Sequence, residues 1–429
     1  MPKTTYNFPL HKKGKLRMYA SCPKSGKGKP HQKRKSRLHA RGAQQPYAFM
    51  PKLSKALYNK LWRKVAYVRS TTHIKIKNER QLWSWSLDKI DDLTERQFIC
   101  ESTKDGFLVD WLLKGCPKCG GKVTPLQKDS RAGKDDWFHR CTKDGCQMRI
   151  LPHHGHLIFR TGKGKSWKPL RLQFKLLFGI VAGLNTVQLH RLWPVNEKML
   201  RSMSIDLDKA RQLDVQQKEP QIKFGCPEEG KWVDVEADEF DAGKSLDANE
   251  PAKLNWEQWG GIIQRGVPES LVLFKTRPKK TKLRAPGPGP IKKTDWYPKA
   301  KKWLKGRKVM LHTDGARSYK LGINRKRRMD GIIHNYVVHR KKKINGRWVH
   351  PKFVRLFYNR LPDGGELYTK GGTQVIDRAW RHMREFTRHR NPTDTRSFLA
   401  RVRSAQWVYW NMHKDLFAAT GHMLKALQG

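Results

Sequence analysis

The spacing of hydrophobic and polar positions divides the chain into a helical half and a half that contains strands. Apolar residues recur every three or four positions in the first half, which predicts amphipathic helices over 53–68, 172–181 and 199–207. From residue 231 the period becomes two, which predicts strands over 231–240, 260–265, 270–275, 308–314 and 332–339. Helical spacing returns over 377–390 and 396–427. The fold class is therefore predicted to be α/β.

The order of the predicted strands narrows the fold further. The strands at 260–265 and 270–275 are expected to form a hairpin through 266–269, directly after the first strand. A short helix near 300–304 then precedes the strand at 308–314, and one more strand is followed by helices. Three strands, a helix, another strand pair and helices is the order of an RNase H-like α/β domain. We predict that residues 229–429 form such a domain.

Four cysteines form the most specific local motif of the chain. They occur as Cys-x2-Cys and Cys-x4-Cys, separated by residues 120–140, at positions Cys116, Cys119, Cys141 and Cys146. Four thiolates on two turns are the usual tetrahedral arrangement of a zinc ribbon, so we predict a Zn²⁺ site within a ribbon at 116–158. The alternative is four unrelated thiols. The nearby His153, His154 and His156 are interpreted as surface histidines, because no partner of fixed spacing accompanies them.

Acidic residues alternate with small apolar residues at the first predicted strand, in Asp234-Val-Glu-Ala-Asp238, and Glu239 follows. Carboxylates on a buried strand are costly unless a cation or hydrogen bonds compensate them. Asp314 ends a later strand and Asp377 lies on a helix, and these positions would meet Asp238 in an RNase H-like sheet.

We therefore predict that Asp238, Asp314 and Asp377 bind Mg²⁺ or Mn²⁺ and support phosphoryl transfer on nucleic acid. In this hypothesis Asp238 bridges two ions, while Asp314 and Asp377 each hold one. The alternative is that all three are ordinary surface acids.

A helix-turn-helix is predicted over residues 165–215. Two helical stretches flank Pro194-Val-Asn196, with Asn185 or Thr186 and Asn196 as reasonable N-caps. Lys198 and Arg201 would then lie on the recognition helix and contact DNA. An ordinary helical linker is the alternative. Residues 50–115 are predicted to be a small helical region that packs on the segments after it.

Composition adds a constraint on the binding partner. Lysine and arginine number 90 against 37 aspartate and glutamate, which gives a formal net charge of +53. Such an excess predicts a polyanionic partner, with nucleic acid as the default and a membrane surface as the rival. No apolar run is long enough for a membrane span, so no membrane association is expected. Four of the seven cysteines have metal-type spacing, which favours a reducing compartment.

The first 49 residues are predicted to be a basic, disordered tail. The run Lys33-Arg-Lys-Ser-Arg37 could contact DNA phosphates through Lys33, Arg34 and Lys35, or act as a nuclear address. A solvated tail without either role is the alternative. The expected location is nuclear if the source is a eukaryote, and otherwise the cytoplasm with nucleoid DNA.

Three ordered motifs resemble those of the ISXO-like insertion-sequence transposases, a group related to the Merlin transposons. Val235-Glu-Ala-Asp-Glu239 is similar to the first-acid motif of that family, Val-Glu-x-Asp-Glu. His312-Thr-Asp-Gly-Ala-Arg-Ser-Tyr319 is similar to the second, and Thr373-Gln-Val-Ile-Asp-Arg-Ala-Trp380 to the third. A zinc ribbon and a helix-turn-helix precede the catalytic domain in the family. The resemblance covers roughly 116–415.

The resemblance implies a DDE- or DDD-type transposase that binds duplex DNA at terminal inverted repeats and at the target, and that works as a homo-oligomer. Two positions depart from the family pattern: Asp377 replaces the usual glutamate, and Gly372 stands where histidine is frequent. Two alternatives stay open. One is a domesticated, non-catalytic zinc-ribbon DNA-binding protein. The other is a zinc-ribbon RNA-binding or ribosome-associated protein, which leaves the acidic strand unexplained.

Overall fold

The computed structural model describes most of the chain from residue 53 onward. The described ranges are 53–69, 82–129, 136–161, 168–225, 230–320, 330–339, 342–344, 347–388 and 395–428. The predicted basic tail, with Lys33, Arg34 and Lys35, lies outside them, as do Cys22 and Cys226. Within these ranges the protein is a mixed α/β structure, as the sequence predicts.

In the described residues before the cysteine motif there are four helices. They are α1 (Lys55–Lys64), α2 (Leu87–Asp92), α3 (Glu95–Lys104) and α4 (Trp111–Lys114). The start of α3 is fixed by a capping box, in which Thr94 and Gln97 each accept a hydrogen bond from the other's backbone amide. Trp85 is fully buried against Phe98, Phe107 and Phe174, so this region packs on later helices, as expected.

The cysteine motif folds around a small antiparallel sheet. Its strands are β1 (Gln127–Asp129), β2 (Asp136–Arg140) and β3 (Arg149–Ile150), in the order β1-β2-β3. Trp111, Val123 and Ile150 form a separate apolar cluster with the cysteines. The ribbon therefore has a core of its own.

Three helices follow the ribbon: α5 (Leu170–Val181), α6 (Thr186–Leu192) and α7 (Glu197–Lys218). Asn185 caps α6 and Asn196 caps α7 through their side chains, as predicted. However, α7 is a 22-residue helix rather than a short one. The polar composition of residues 210–228 predicts a boundary in the chain, but the helix continues to Lys218: Asp208 pairs with Arg401, and Asp214 accepts a hydrogen bond from Trp407 at 2.9 Å. Tertiary partners thus compensate the polar residues that α7 buries.

Six strands form the central sheet. They are β4 (Val233–Leu246), β5 (Lys253–Gln264), β6 (Val272–Lys275), β7 (Lys279–Lys282), β8 (Val309–Thr313) and β9 (Ile332–Tyr336). The order is β6-β5-β4-β8-β9, and β7 also pairs with β5. Pairs β4–β5 and β5–β6 are antiparallel, whereas β4–β8 and β8–β9 are parallel. The predicted hairpin at 260–275 is confirmed.

Two strand regions are not evident from the sequence. Residues 278–293 are rich in proline, glycine and lysine, which predicts a basic loop, but Lys279–Lys282 forms β7, in which buried Lys279 donates hydrogen bonds to the carbonyls of Gly289 and Pro290. An additional hairpin joins β12 (Arg355–Arg360) to β13 (Glu366–Gly371). Its turn contains Pro362-Asp-Gly364, a strong turn signal that the prediction did not use. A short hairpin of β10 (Lys342–Ile344) and β11 (Arg347–Val349) precedes it.

Helices cover both faces of the sheet. Helix α8 (Lys293–Leu304) packs one face through buried Trp296 and Leu304. On the other face, α9 (Gln374–Thr387), α10 (Thr395–Asn411) and α11 (Leu416–Gln428) share a large core with α5 and α7. Among the described residues, no helix combines the length and the apolar composition that a membrane crossing needs.

Candidate carboxylate and cysteine sites

The first two acids of β4 are compensated by basic side chains. Asp234 accepts hydrogen bonds from Arg69 Nε at 2.6 Å and from His312 Nε2 at 2.9 Å. Burial alone would raise the pKa of Asp234, but His312 and Arg69 hold it below its usual range. Burial lowers the pKa of His312 to about 4, so its imidazole is neutral at pH 7 and donates from Nε2. Asp234 is therefore part of a structural network.

Glu236 is fully buried and joins the sheet to α9. It accepts a hydrogen bond from Arg265 Nε at 2.6 Å and one from the Tyr67 hydroxyl at 2.7 Å. Its other oxygen accepts from the backbone amides of Val375 and Ile376, at 2.8 and 2.9 Å. These amides are among the unpaired donors of the first turn of α9. Glu236 thus fixes where α9 begins, and Asp377 lies in that same turn.

The third acid of β4 lies in a different environment. Asp238 is half-buried, and the carboxylates of Glu239, Asp314 and Asp377 all act on it electrostatically. Asp314 follows β8, which runs parallel to β4 and next to it, and Asp377 lies in the first turn of α9. The structure therefore brings the three predicted aspartates into one group, with Glu239 as a fourth acid.

No described lysine, arginine or histidine forms an ion pair with these four acids. Burial, and then the charges of Glu239, Asp314 and Asp377, raise the pKa of Asp238 well above its usual range. Burial also raises the pKa of Glu239 and that of Asp377. Mutual repulsion in a half-buried site is unfavourable unless a proton or a cation reduces the charge. An all-oxygen set of this kind is chemically suited to Mg²⁺ or Mn²⁺.

Close packing of α9 on the sheet holds the group together. Gly261 lies directly opposite Asp238 on β5, and a Cβ there would lie 2.3 Å from Trp380 Cη2. Because this position is glycine, the Trp380 ring reaches the strands, stacks on Phe240 at 4.6 Å and donates a hydrogen bond to Asp238 at 3.2 Å. Thr373 donates to Asp377 at 3.2 Å. The third motif therefore supplies packing as well as an acid.

Several residues of this site were not found from the sequence. Tyr67, Arg69 and Arg265 compensate the first two acids, and Tyr319 donates a hydrogen bond to Glu239. Tyr319 ends the second motif, so its position in the motif could have suggested a role. Tyr67 and Arg69 are far from β4 in sequence and carry no local signal.

The four predicted zinc ligands do converge. The Sγ atoms of Cys116 and Cys146 are 3.8 Å apart, and those of Cys119 and Cys141 are 3.4 Å apart. A tetrahedral Zn²⁺ with Zn–S bonds of about 2.3 Å requires sulfur atoms about 3.8 Å apart. Among the described residues, this is the only group of three or more His, Cys, Asp or Glu whose ligand atoms all lie within 4.8 Å of one another. No three of the carboxylates of Asp238, Glu239, Asp314 and Asp377 have ligand oxygen atoms that all lie within this distance of one another.

The turn at the first cysteine favours its thiolate, whereas hydrogen bonds with the neighbouring thiols raise the pKa of Cys141 to about 12. Burial opposes ionisation of Cys116, but hydrogen bonds from the amides of Lys118 and Cys119 lower its pKa to about 7. Gly120 has a positive φ of 69°, and a Cβ on Gly121 would lie 3.3 Å from the Cys119 sulfur. Small residues therefore let the turn close around the four sulfur atoms. These residues fit a structural Zn²⁺, which would cross-link the two turns.

The remaining predicted residues have mixed outcomes. Lys198 and Arg201 are exposed in the first turns of α7. The interpretation of the histidines after the ribbon as surface residues is wrong for His153 and His156, which are buried. His156 accepts hydrogen bonds from the amides of Ile158 and Phe159, so it organises the chain after β3.

Comparison with known proteins identified no matching family model, no similar curated protein and no similar solved structure.

Proposed function

We propose that this protein is a DNA transposase, or an enzyme derived from one, that cleaves and transfers DNA strands in a metal-dependent reaction. The observation that carries the proposal is the group formed by Asp238, Asp314 and Asp377. These acids come from three separate elements, Asp314 and Asp377 both act on Asp238, and none of the three forms an ion pair among the described residues. In a chain with a net charge of +53, such a group favours a bound divalent cation.

The sheet supports an RNase H-like assignment for the domain. Strands β4, β5 and β6 are antiparallel neighbours, and β8 and β9 run parallel to β4, which gives the order β6-β5-β4-β8-β9. In this arrangement the carboxylates lie on the central strand, after its parallel neighbour and on helix α9, which packs on β4 and β5. The resemblance to the ISXO-like motifs implies catalytic acids at the same three positions.

Asp238, Asp314 and Asp377 would hold Mg²⁺ or Mn²⁺. Such ions, when bound, stabilise charge on the attacking and leaving oxygens of a phosphodiester. The protein's own contribution is position: Glu236 fixes the first turn of α9, and Trp380 orients Asp238. Tyr319 and the Ile291 amide hold Glu239 beside them.

Duplex DNA is the proposed partner because the positive charge supplies phosphate contacts without sequence preference. The exposed Lys198 and Arg201 lie where a recognition helix would contact DNA, because α6 and α7 are joined by a short turn. The ribbon would add a second DNA-binding element. Assembly as a homo-oligomer on DNA is part of this proposal and derives from the family resemblance.

Nicking of supercoiled plasmid DNA in Mg²⁺ or Mn²⁺ tests the proposal. We expect wild-type protein to nick, and Asp238→Asn, Asp314→Asn and Asp377→Asn each to lower the rate by about 10²-fold or more, as for other groups that stabilise transition-state charge. Asp377→Glu should retain activity, because it restores the residue usual in the family and keeps the carboxylate. Asp88→Asn, an exposed acid on α2, is the matched control.

Three results would change the conclusion. Divalent-cation binding without nicking would indicate a retained but silent site, as in the domesticated DNA-binding alternative. If the wild-type protein neither binds divalent cations nor nicks DNA, the proposal that it is an enzyme is rejected. A preference for A-form RNA over duplex DNA would instead favour the RNA-binding alternative.

A further inference from the structure

In the part of the chain that the structure describes, the exposed aromatic side chains fall in one short segment. Among the described residues, Tyr336, Trp348 and Phe353 are the aromatic residues with exposed side chains, at 41%, 65% and 56% exposure. All three fall between the end of β9 and the start of β12, with Tyr336 as the last residue of β9, although aromatic residues occur throughout the chain. We call these three residues the aromatic rim. Exposed rings concentrated in this way indicate a binding surface.

One end of the rim lies beside the carboxylate group. Tyr336 ends β9, and a Cβ on Gly315 would lie 3.0 Å from its ring. Gly315 directly follows Asp314, so the Tyr336 ring packs on the turn that carries this acid. Lys320 lies over the same ring, with Nζ 4.8 Å from the centroid. The aromatic ring of Tyr336 and the positive charge of Lys320 therefore lie next to the turn that carries Asp314.

The other end of the rim lies near the third acid. The Phe353 ring is 5.0 Å from that of His339, and His339 acts electrostatically on Asp377. A Cβ on Gly372 would lie 2.7 Å from the Phe353 carbonyl oxygen, so this segment also contacts the chain just before α9. Tyr336 and Phe353 therefore border the carboxylate group. Trp348 is five residues before Phe353, which keeps it within about 18 Å of that ring's backbone.

The sequence around the rim is strongly basic. Positive residues alternate with the rings over this segment, at Arg340, Lys341, Lys342, Lys343, Arg347 and Lys352. Rings separated by charged residues do not form the continuous apolar patch that a stable protein interface requires. Aromatic faces combined with positive charge are instead what proteins use to bind unpaired nucleotides, by stacking on bases and by contacting phosphates.

We propose that the aromatic rim binds unpaired bases of DNA next to the cleavage point, so that the preferred substrate is DNA with a locally opened duplex. This inference rests on the proposed function, because it places the DNA at the carboxylate group. Stacking occurs on any base, so the rim selects DNA by its unpaired state and not by its sequence. Trp348, the most exposed ring, is the main stacking residue.

Fluorescence anisotropy with full-length protein, in buffer without Mg²⁺ or Mn²⁺, tests the rim. The two probes are a duplex and the same duplex with a short mismatched stretch. We expect wild type to bind the mismatched probe about tenfold more tightly, the effect of stacking on one ring. Trp348→Ala should lose this preference, whereas Trp348→Phe should keep most of it. Leu113→Ala, an exposed apolar side chain on α4, is the control and should behave as wild type.

Two further measurements separate stacking from other roles. The dependence of affinity on salt should be unchanged in Trp348→Ala, because no phosphate contact is removed. A 2-aminopurine in the mismatched stretch should be quenched by wild type and by Trp348→Phe, but not by Trp348→Ala.

Equal binding of both probes by wild type, or an unchanged preference in Trp348→Ala, would overturn the proposed role of the aromatic rim. The DNA-cleavage proposal would still stand. A change in oligomeric state of Trp348→Ala without a change in preference would assign the ring to a protein interface, and would also overturn it. Failure of wild type to bind either DNA would contradict the proposed function itself.

Discussion

Asp234 and Asp238 lie four residues apart on the same face of β4, yet their carboxylates have opposite electrostatic environments. Arg69 and His312 lower the pKa of Asp234, whereas burial and three neighbouring acids raise that of Asp238. The two acids look alike in the alternating pattern. The first stabilises the fold, and the second makes the folded state less stable in the absence of a cation.

This contrast gives a prediction for Asp238→Asn. The pKa of Asp238 is higher in the folded than in the unfolded chain, so the folded state binds more protons and its stability falls as pH rises through that interval. Above the interval the variant should therefore be more stable than wild type by roughly 1–2 kcal/mol without divalent ions, a common gain when an active-site group is replaced. Thermal unfolding at several pH values measures this.

The same variant should lose stabilisation by metal. We expect Mn²⁺ to raise the melting temperature of wild type and of the Asp88→Asn control, with less effect as pH falls, because protons compete for the carboxylates. Asp238→Asn should show little increase. A variant that is less stable than wild type at neutral pH without metal would show that Asp238 makes a net favourable contact.

At the scale of elements, α9 and the ribbon are positioned by different means. Helix α9 is placed by contacts, since Glu236 accepts hydrogen bonds from its first amides and Trp380 packs on Gly261. The ribbon has only short strands and a small core, so its four cysteines must carry much of its stability. Small domains of this kind depend on a bound metal.

Zinc removal tests the role of the ribbon. We expect the purified protein to contain Zn²⁺, and a strong chelator to lower its melting temperature and make four additional thiols reactive toward a thiol reagent. Cys116→Ser should lose the metal, whereas Cys100→Ser, a substitution of an exposed cysteine on α3, should retain it. Cysteines that react equally before and after chelation would argue against a metal-bound ribbon.

At the scale of the whole molecule, one buried arginine connects segments that are far apart in sequence. Arg265 donates hydrogen bonds to Glu236 on β4 and to the carbonyls of Tyr67, Lys370 and Gly372. Its guanidinium also lies 3.8 Å from the centroid of the Tyr67 ring. The segment after α1, the central sheet, the end of β13 and the start of α9 therefore meet at one side chain.

Arg265→Met should consequently destabilise the protein by about 3–5 kcal/mol, because it leaves the buried carboxylate of Glu236 without its cation. Adding Glu236→Gln should recover part of this loss, since the uncompensated charge is removed. Chemical denaturation of the single and double variants measures both effects. Lys104→Met, which removes an exposed ion pair with Glu101, should cost less than about 1 kcal/mol. Similar losses in the two single variants would contradict this role of Arg265.

Prediction from sequence succeeded where the signal was local. The period-two segments predicted strands in β4, β5, β6, β8 and β9, and the asparagine caps of α6 and α7 are present. It was less successful for the second half of α7, for β7 and for the hairpin of β12 and β13. In the first two cases the polar residues have the sequence pattern of surface residues but are buried. The sequence does not reveal this, because their partners, such as Arg401 for Asp208, are distant along the chain.

The sequence by itself determined the mixed α/β class, the cysteine spacing and the positions of the three aspartates, because each depends on residues that are close along the chain. The tertiary structure decided which acids are compensated, since desolvation and charge interactions depend on distance in space. Only the fold places Arg69 and Arg265 beside the first two acids of β4, and leaves Asp238 to face Asp314 and Asp377. It also places Tyr336 beside the turn that carries Asp314.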